Sequence, residues 1–378
     1  MLTKEELSFY NRQLILSEIG VNGQQKLKQA KVLVVGAGGL GCPVLTYLTA
    51  AGVGTIGIVD ADIVDKSNLH RQVLFGFSQI GRPKVNAAID RLKDLNPNID
   101  LIGYIERLSP KNALEILSKY DIIVDATDNF PTRYLINDAC VILDKPFVLG
   151  SIDRFQGQIS VMNFTNKNDI CGPSYRCLFP TPPKPENAPN CEQNGVMGIL
   201  PGIIGTMQAN EVIKMIVGYG EVLSGKLLIL DSAAGTSYSI GVSRNNKMVK
   251  LAKSLKNNLK SFDYIDFCHL QNREVKEIDP SLLKLKIAEK ENLQIIDIRE
   301  NGNASQINGA VNIPLSLIKS NFNSIKPDIP VVLFCDYGIK SVSAVNILLE
   351  AGYKNVFNLK GGLTAWNSEI NKMENENV

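Results

Sequence analysis

The sequence places four glycines within six residues, directly after a β-branched run and before a segment with helical spacing of apolar residues: Gly36, Gly38, Gly39 and Gly41. Glycine lets the backbone approach phosphate oxygens closely, and the N-terminus of a following helix supplies amide donors to the same oxygens. Asp60 ends the next β-branched run, where a carboxylate can bind a ribose hydroxyl. This pattern predicts a nucleotide site.

A glycine fingerprint by itself fits NAD(P) or FAD as well as ATP. The residues beyond the second predicted strand favour ATP because they add cations and an amide, which suit a triphosphate better than a pyrophosphate in the middle of a ligand. We interpret Arg71 and Lys84 as phosphate ligands that offset charge. We also predict that Ser67, Asn68, Leu69 and His70, which precede Arg71 and Gln72 in this segment, bind the nucleotide, as does Asn129.

A carboxylate ends the predicted strand at 121–128. Asp128, followed by Asn129, would lie at the same edge of the sheet as the glycines. Carboxylate oxygens are ligands that Mg²⁺ prefers, and Mg²⁺ bridges phosphates in nucleotidyl transfer. We therefore predict that Asp128 holds Mg²⁺ with ATP.

Two cysteines have surroundings typical of reactive thiols. Cys335 follows an apolar run and precedes a predicted helix, so that backbone amides and the helix N-terminus stabilise a thiolate or persulfide. Cys191 lies in the long proline-rich segment 166–200, and a flexible loop is where a nucleophile is expected. Cys42 and Cys140 lie in apolar helices, so we expect them to be packing residues.

The elements that position these residues alternate along the first 245 residues. Runs at 31–36, 54–60 and 121–128 predict strands, and segments 40–51 and 109–119 predict helices. This alternation predicts a Rossmann-like, doubly wound, mostly parallel α/β sheet, whose ligands lie at the carboxyl ends of the strands.

The pattern restarts near the C-terminus and predicts a small α/β domain of its own. Its strands are expected at 293–298, 330–335 and 355–359, with a helix at 341–351. A chain of 378 residues exceeds what one core usually holds. The predicted organisation is a nucleotide-binding domain, a polar linker and a second domain, with the bounds 1–245, 246–271 and 272–372.

Composition and charge indicate which partners and which cellular compartment to expect. Lysine plus arginine (40) nearly balances aspartate plus glutamate (38), so we expect neither nucleic acid nor a membrane as a partner. The sequence shows no secretory leader and no apolar run of membrane-spanning length. Seven irregularly spaced cysteines favour a reducing compartment, and we expect a cytoplasmic enzyme.

Several separated motifs resemble those of the MoeB/ThiF/HesA family, which is related to ubiquitin-activating enzymes. The resemblance covers residues 5–243, in the family's order, through the glycine loop, segment 67–72 and three further motifs: Tyr10-Asn11-Arg12-Gln13, Pro83-Lys84 and Thr127-Asp128-Asn129. Residues 272–370 resemble a rhodanese domain through Ile296-Asp297-Ile298-Arg299, the Cys335 loop and Lys360-Gly361-Gly362.

These resemblances imply an adenylyltransferase. With ATP and Mg²⁺ it would adenylate the C-terminal glycine of a ubiquitin-like sulfur-carrier protein, and a persulfide on Cys335 would convert that glycine into a thiocarboxylate. The carrier would be of the MoaD type of molybdopterin synthesis, or alternatively of the ThiS type of thiamine synthesis. Family members are homodimers in which the arginine matching Arg12 reaches the partner's ATP, and the cysteine matching Cys191 can attack the acyl adenylate or form an acyl disulfide.

The sequence departs from these families at two sites. Members of the first family usually bind zinc through two Cys-x-x-Cys pairs, but here Ser174 replaces one cysteine and none follows Arg244-Asn245, so we predict no structural zinc. Rhodaneses commonly carry arginine where Asp336 stands and histidine where Gln306 stands. An acidic neighbour disfavours anionic thiosulfate, so we expect a cysteine desulfurase as the sulfur donor.

Two functions of other classes remain open at this point. An NAD-dependent oxidoreductase would need an acid/base group near the nicotinamide, for which the sequence offers two histidines, His70 and His269. A non-catalytic sulfur-relay scaffold would bind ATP poorly, which Arg71, Lys84 and Asp128 oppose.

Overall fold

The computed structural model divides the chain into two units, Met1–Leu270 and Gln271–Val378. It describes residues 1–183, 195–268, 275–300, 307–338 and 340–376. Each unit is built on one sheet flanked by helices, so the predicted α/β class is confirmed. Among the described residues, no helix combines the length and the apolarity that crossing a membrane requires.

The first unit contains an eight-stranded sheet in the order β3-β2-β1-β4-β5-β6-β7-β8. Strands β1 to β5 run parallel and β5 to β8 pair antiparallel, so the predicted mostly parallel, doubly wound sheet is confirmed. The strands are β1 (Lys31–Val35), β2 (Thr55–Val59), β3 (Asp100–Tyr104), β4 (Ile122–Asp125), β5 (Phe147–Asp153), β6 (Gln156–Met162), β7 (Lys226–Asp231) and β8 (Thr236–Gly241).

Eleven α-helices of the described residues accompany this sheet. They are α1 (Lys4–Phe9), α2 (Asn11–Leu14), α3 (Gly20–Gln29), α4 (Gly41–Ala51), α5 (Lys84–Leu95), α6 (Ala113–Ser118), α7 (Phe130–Ile142), α8 (Tyr175–Leu178), α9 (Ile199–Val217), α10 (Asn246–Ser254) and α11 (Tyr264–Phe267).

The strand order places a topological switch at β1, which pairs with β2 on one side and β4 on the other. Chain connections leave the sheet in opposite directions there, so the carboxyl ends of the three strands border one crevice. The glycine loop follows β1, Asp60 follows β2, and Asp128 follows β4. The fold therefore brings three of the predicted site segments to one edge of the sheet.

The predicted strand at 121–128 is present as β4, but it is the fourth strand along the chain, because β3 was not predicted. In β3, Asp100 and Gly103 interrupt the apolar residues, and none of the five residues is buried. The fourth strand ends at Asp125, three residues earlier than predicted, because the Asp125 carboxylate accepts hydrogen bonds from the Thr127 amide (3.0 Å) and hydroxyl (2.5 Å). These bonds turn the chain out of the sheet.

Residues 246–268 of the predicted linker are largely helical and pack on the first unit. Helices α10 and α11 both contact α7. Arg176 and Asp138 are almost fully buried beneath them and form two bonds, Nε to Oδ1 at 2.6 Å and Nη2 to Oδ2 at 2.7 Å. The Tyr264 hydroxyl donates to the same carboxylate at 2.7 Å. The Tyr264 hydrogen bond to this buried ion pair therefore joins the segment after residue 246 to the sheet domain.

The second unit has a five-stranded parallel sheet in the order β11-β10-β12-β13-β9. The predicted small α/β domain is confirmed, although its two short outer strands, β9 and β11, were not predicted. The strands are β9 (Lys276–Ile278), β10 (Gln294–Asp297), β11 (Ala310–Asn312), β12 (Val331–Phe334) and β13 (Val356–Leu359), and the helices are α12 (Pro280–Ala288), α13 (Lys340–Glu350) and α14 (Gly362–Glu376).

We predict that Arg176→Met lowers the free energy of unfolding of the first unit by about 3–5 kcal/mol, because it leaves a buried carboxylate without its cation. Urea unfolding followed by far-UV circular dichroism measures this loss. Trp366, the only tryptophan of the sequence, reports the second unit separately by fluorescence. Lys253→Ala is the control, because Lys253 pairs with Asp144 on the surface at 2.9 Å and should change stability by less than about 0.5 kcal/mol. Equal effects of the two substitutions would contradict the prediction.

Candidate active site

Two glycines of the loop after β1 are required by the chain's own backbone. A Cβ on Gly41 would lie 1.9 Å from the Gly36 carbonyl oxygen, and Gly36, with φ of +99°, would place its own Cβ 2.7 Å from the Ala126 carbonyl oxygen. The other two glycines have more room. A Cβ on Gly38 would lie 3.7 Å from Gln72 Nε2, and one on Gly39 would lie 3.1 Å from Pro201 Cβ.

Asp60 ties the glycine loop to the end of β2. Its Oδ2 accepts a hydrogen bond from the Ala37 amide at 2.8 Å, and its Oδ1 accepts one from the Asp62 amide at 2.8 Å. Burial raises the pKa of Asp60, although the Ala37 hydrogen bond and the charge of Lys84 oppose the shift. The carboxylate is thus held in place at the position where the sequence predicts a ribose.

Lys84 reaches the same edge of the sheet from the start of α5. The Lys84 amide donates to the Asp62 carbonyl at 2.9 Å, and the Val64 amide donates to the Arg82 carbonyl at 2.8 Å, which pairs the two segments. Lys84 is 5% exposed, and its Nζ lies 3.1 Å from Oδ2 of the exposed Asp62. A nearly buried ammonium is therefore paired with the exposed carboxylate of Asp62. This pairing was not predicted from the sequence.

Arg71 is held within its own segment. Its Nη2 donates to Asn68 Oδ1 at 2.6 Å and its Nη1 to the Ser67 carbonyl at 3.2 Å, while Nη1 lies 2.8 Å from His70 Nε2. Ser67 and His70 are exposed, and Leu69 is partly buried against the core. The segment presents a preorganised guanidinium with one hydrophobic anchor.

This segment and the start of α9 both approach the glycine loop. The Arg71 carbonyl oxygen would lie 3.7 Å from a Cβ on Gly39, and the His70 carbonyl oxygen would lie 2.6 Å from a Cβ on Gly198. Gln72 is 4% exposed, and its Oε1 has no hydrogen-bond partner in the described part of the chain. The sequence motifs predicted no separate role for Gln72. Its position beside Gly38 is the feature that associates it with the glycine loop.

Asp128 lies exposed beyond β4. Asn129 caps α7 by accepting from the Thr132 amide at 3.0 Å, and its Nδ2 lies 3.4 Å from Asp128 Oδ1. Behind them Arg133, a buried residue that the sequence analysis missed, donates to Asp125 at 3.1 Å and to the Thr127 carbonyl at 3.0 Å. The strand end is therefore fixed, and an exposed carboxylate of this kind fits Mg²⁺.

Arg12 is not brought to the crevice by the described contacts of its own chain. It is exposed on α2, and the neighbouring Gln13 donates from Nε2 to the Ala51 carbonyl at 3.4 Å. Ala51 ends α4, whereas Gly41 begins it, and these ends are about 15 Å apart at 1.5 Å per residue. Cys191, His269 and Gln306 lie outside the described residues.

The residues present do not fit a structural zinc. The Cys177 sulfur accepts hydrogen bonds from the amides of Ser174 (3.3 Å) and Asn245 (3.2 Å). The Cys171 sulfur accepts from Arg244 Nη1 at 3.0 Å. Within the described residues no group of three or more candidate metal ligands occurs. Hydrogen bonds to sulfur join the two segments that would otherwise share a metal.

Cys335 lies between the end of β12 and the start of α13, and it is 4% exposed. The Leu363 amide donates to the Cys335 carbonyl and the Thr364 amide to the Asp336 carbonyl, both at 2.9 Å. A Cβ on Gly362 would lie 2.3 Å from the Cys335 carbonyl oxygen. Helix α14 therefore clamps the backbone on either side of the thiol.

A charged cluster lies beside this loop. Arg299 donates to Asp297 Oδ2 from Nη2 at 2.7 Å and contacts Asp336 Oδ1 through Nη1 at 3.2 Å. Hydrogen bonding to Asp297 raises the pKa of Arg299, so the guanidinium stays charged. Two carboxylates share one cation, and the cluster therefore carries one excess negative charge.

Comparison with known proteins identifies both units. Residues 10–251 match the ThiF family, and residues 279–369 match the rhodanese-like domain. The chain belongs to the ThiF family. It is 41% identical to a probable adenylyltransferase/sulfurtransferase MoeZ of Mycobacterium tuberculosis over 379 residues, which cover 98% of this chain and 95% of that protein.

Other relatives match the whole chain or its ThiF part. An adenylyltransferase and sulfurtransferase MOCS3 of Culex quinquefasciatus is 42% identical, with 98% of this chain and 89% of that protein covered. A sulfur carrier protein adenylyltransferase of Thermus thermophilus is 51% identical over 64% of this chain and 90% of its own length. A crystal structure of E. coli MccB shares the fold, with a TM-score of 0.55, 24% identity, and coverage of 63% of this chain and 72% of that one.

The chain is therefore an enzyme of the adenylyltransferase class with a sulfurtransferase domain, and the oxidoreductase and scaffold alternatives lose their support. Within the ThiF domain, Cys42 and Cys140 are fully buried, as expected for packing residues. Burial raises the pKa of the Cys42 thiol to about 12 and that of Cys140 well above its ordinary value. Burial therefore disfavours the thiolate form of both cysteines.

We predict that Gly41→Ala and Gly38→Ala separate folding from nucleotide binding. Gly41→Ala should destabilise the ThiF domain by more than about 2 kcal/mol, because its Cβ cannot be accommodated beside Gly36. Gly38→Ala should leave stability within about 0.5 kcal/mol and weaken ATP binding, because its methyl group enters the loop face beside Gln72. Urea unfolding and calorimetric titration with ATP measure the two effects. Loss of stability in Gly38→Ala would contradict this assignment.

Proposed function

We propose that this enzyme uses ATP to adenylate the C-terminal glycine of a MoaD-like sulfur-carrier protein, and that Cys335 then supplies the sulfur of a thiocarboxylate. A ThiS-like carrier of thiamine synthesis is the alternative within the same chemistry. The observation that carries the proposal is the crevice at the ends of β1, β2 and β4, where the glycine loop, Asp60 and Lys84 meet. The full-length relatives, named for both activities, support the joining of this crevice to a rhodanese-like domain.

In the first reaction a carboxylate oxygen of the glycine attacks the α-phosphorus of ATP. The bond from that phosphorus to the β-phosphate oxygen breaks, pyrophosphate leaves with the electron pair, and an acyl adenylate forms. Lys84 and Arg71 offset the negative charge that develops on the phosphates, and the amides of the glycine loop donate to the same oxygens. Asp128 would hold Mg²⁺, which neutralises phosphate charge when it is bound.

In the second reaction the terminal sulfur of a Cys335 persulfide attacks the acyl carbon, and AMP leaves with the electrons of the carbon–oxygen bond. The product is an acyl disulfide. One thiol of a dithiol reductant attacks the Cys335 sulfur, so that the carrier leaves as a thiocarboxylate, and the second thiol of the reductant then releases Cys335 as a thiolate. Cys191 is a further candidate nucleophile, which by the family resemblance attacks the acyl adenylate or forms an acyl disulfide.

A homodimer completes the proposal. Arg12 is exposed near the end of α4 that lies away from the glycine loop, so a role at an ATP site requires another copy of the chain. Apolar side chains around it are exposed, with Phe9 at 48%, Ile15 at 66% and Leu16 at 50%. Exposed apolar side chains of this kind are typical of a surface between subunits.

Carrier-dependent exchange of pyrophosphate into ATP tests the proposal. Purified MoaD-like and ThiS-like carriers are assayed separately with the full-length enzyme. Exchange with the MoaD-like carrier supports the proposal, and exchange with the ThiS-like carrier alone selects the alternative. Absence of exchange with both carriers would overturn it.

We predict that Asp128→Ala lowers carrier-dependent exchange by at least about a hundredfold, since it removes the carboxylate that positions the phosphates' counter-ion. Asp144→Ala, which removes an exposed carboxylate paired with Lys253, should leave exchange unchanged.

Cys335→Ser should retain exchange and lose thiocarboxylate formation, which mass spectrometry of the carrier detects.

Mixing Asp128→Ala with Arg12→Ala subunits extends this measurement to the dimer. In an equal mixture, about half of the dimers contain one subunit of each kind. If Arg12 acts at the partner's ATP site, each of these heterodimers has one intact site of its two, so about a quarter of the activity of the unmodified enzyme returns. No recovery after verified subunit exchange would rule out this role of Arg12.

A cysteine desulfurase is the sulfur donor that the loop favours. Its persulfide passes one sulfur to the Cys335 thiolate and leaves as a thiolate, so no anionic small molecule needs to approach. The negative cluster of Asp297, Arg299 and Asp336 repels thiosulfate. We predict that Asp336→Asn raises kcat/KM for thiosulfate roughly tenfold.

Thiosulfate:cyanide sulfurtransferase assays at constant ionic strength measure this change. Asp328→Asn, at an exposed carboxylate of the same unit, is the control and should have no effect. Rapid turnover of the unmodified enzyme with thiosulfate at low KM would show that the cluster does not exclude anions.

A further inference from the structure

Behind the Cys335 thiol lies a buried polar residue that the proposed chemistry does not use. Asn358, on β13, is 1% exposed. Its Oδ1 accepts from the Ser341 hydroxyl at 2.6 Å, and its Nδ2 donates to the Gly338 carbonyl at 3.0 Å and lies 3.4 Å from Glu277 Oε1. A carbonyl and a carboxylate can only accept, so the amide group must face them, and the oxygen must face Ser341.

The Ser341 hydroxyl connects Asn358 to the thiol. Ser341 is fully buried, and its Oγ lies 3.5 Å from Cys335 Sγ. A hydroxyl has one proton, and Ser341 donates it to Asn358. In this arrangement the Cys335 thiol is the donor in the contact with Ser341, and Ser341 is the acceptor.

When the Cys335 thiol loses its proton, the sulfur needs a hydrogen-bond donor instead of an acceptor. A thiolate or an anionic persulfide cannot donate, and a buried anion needs donors. Ser341 can donate to the sulfur only by turning its proton away from Asn358. Asn358 and the anionic sulfur therefore compete for the same proton.

We propose that Asn358 is a positioning residue that controls the direction of the Ser341 hydroxyl and thereby sets the pH at which Cys335 becomes reactive. The inference rests on the proposed role of Cys335 as the persulfide carrier. Asn358 also donates to the Gly338 carbonyl of the loop, and the proposed control of the sulfur runs through Ser341 alone. Asn358 acts through Ser341 and does not touch the reacting sulfur.

Other charged and titratable groups surround the loop and remain constant in the test. They are Glu277 on β9, Asp297 at the end of β10, Arg299 after it, Asp336 and Tyr337 in the loop, and Lys340 at the start of α13. Replacing Asn358 leaves all of these residues in the chain and changes the direct contacts of Glu277 alone among them.

The test measures alkylation of Cys335 by iodoacetamide against pH in the full-length protein, resolved from the other cysteines by peptide mass spectrometry. Asn358→Ala should move the midpoint about one pH unit lower, because the Ser341 proton becomes available to the sulfur. Ser341→Ala should move it higher. The double variant should match Ser341→Ala alone, because Asn358 acts only through Ser341.

Asn358→Asp keeps an acceptor for Ser341 and adds a negative charge, so it should move the midpoint in the opposite direction to Asn358→Ala. This contrast in sign separates control of the hydroxyl from a loss of packing, and Trp366 fluorescence verifies that each variant is folded. Asn321→Ala is the matched control, since Asn321 bonds to the Leu317 carbonyl at 2.8 Å and to Ser320, not to the loop.

An unchanged midpoint in Asn358→Ala, or additive shifts in the double variant, would overturn the inference. Alkylation needs neither carrier nor ATP. If the midpoints shift as expected while the unmodified enzyme forms no thiocarboxylate, the proposed function fails and the control of Cys335 by Asn358 stands.

Discussion

The hydrogen bond between the Ala37 amide and the Asp60 carboxylate is the interaction on which the nucleotide crevice depends. It joins the loop after β1 to the end of β2, and it is possible only because the glycines on either side let the loop turn tightly over the strand. Gly41 faces the Gly36 carbonyl and Gly36 faces the Ala126 carbonyl, so β4 is drawn into the same arrangement. The three strand ends are therefore held together by this hydrogen bond and by close backbone contacts at the glycines.

The parts of this arrangement that follow from the order of strands and helices along the chain were predictable from the sequence. Apolar runs identified β1, β2 and β4, and the parallel topology then required Gly36, Asp60 and Asp128 to share one edge. The missed strand β3 lies at the edge of the sheet, where none of its residues is buried, and Asp100 and Gly103 interrupt its apolar residues. Which strands pair in the sheet depends on contacts between residues that are far apart in the chain, so a local sequence pattern does not predict it.

The residues that sequence reasoning missed are those whose partners are distant in the chain. Arg133 supports the end of β4 through Asp125, and Asn358 reaches Ser341 across 17 positions. A single arginine in an apolar helix and a single asparagine in an apolar strand are weak signals, because burial and partners decide their roles. The thiol loop itself was predictable, since a cysteine between a strand and a helix already defines its surroundings.

The pairing of Lys84 with Asp62 gives the crevice an internal counter-ion. The nearly buried ammonium is paired with a carboxylate that is itself 59% exposed. Under the proposed chemistry, an entering polyphosphate displaces that carboxylate, so highly charged ligands gain more from Lys84 than neutral ones. Under the proposed chemistry, departure of pyrophosphate and then AMP lets Asp62 return. In that reaction the Lys84–Asp62 pair acts as an ion exchanger, which selects a charged ligand on entry and is restored after each turnover.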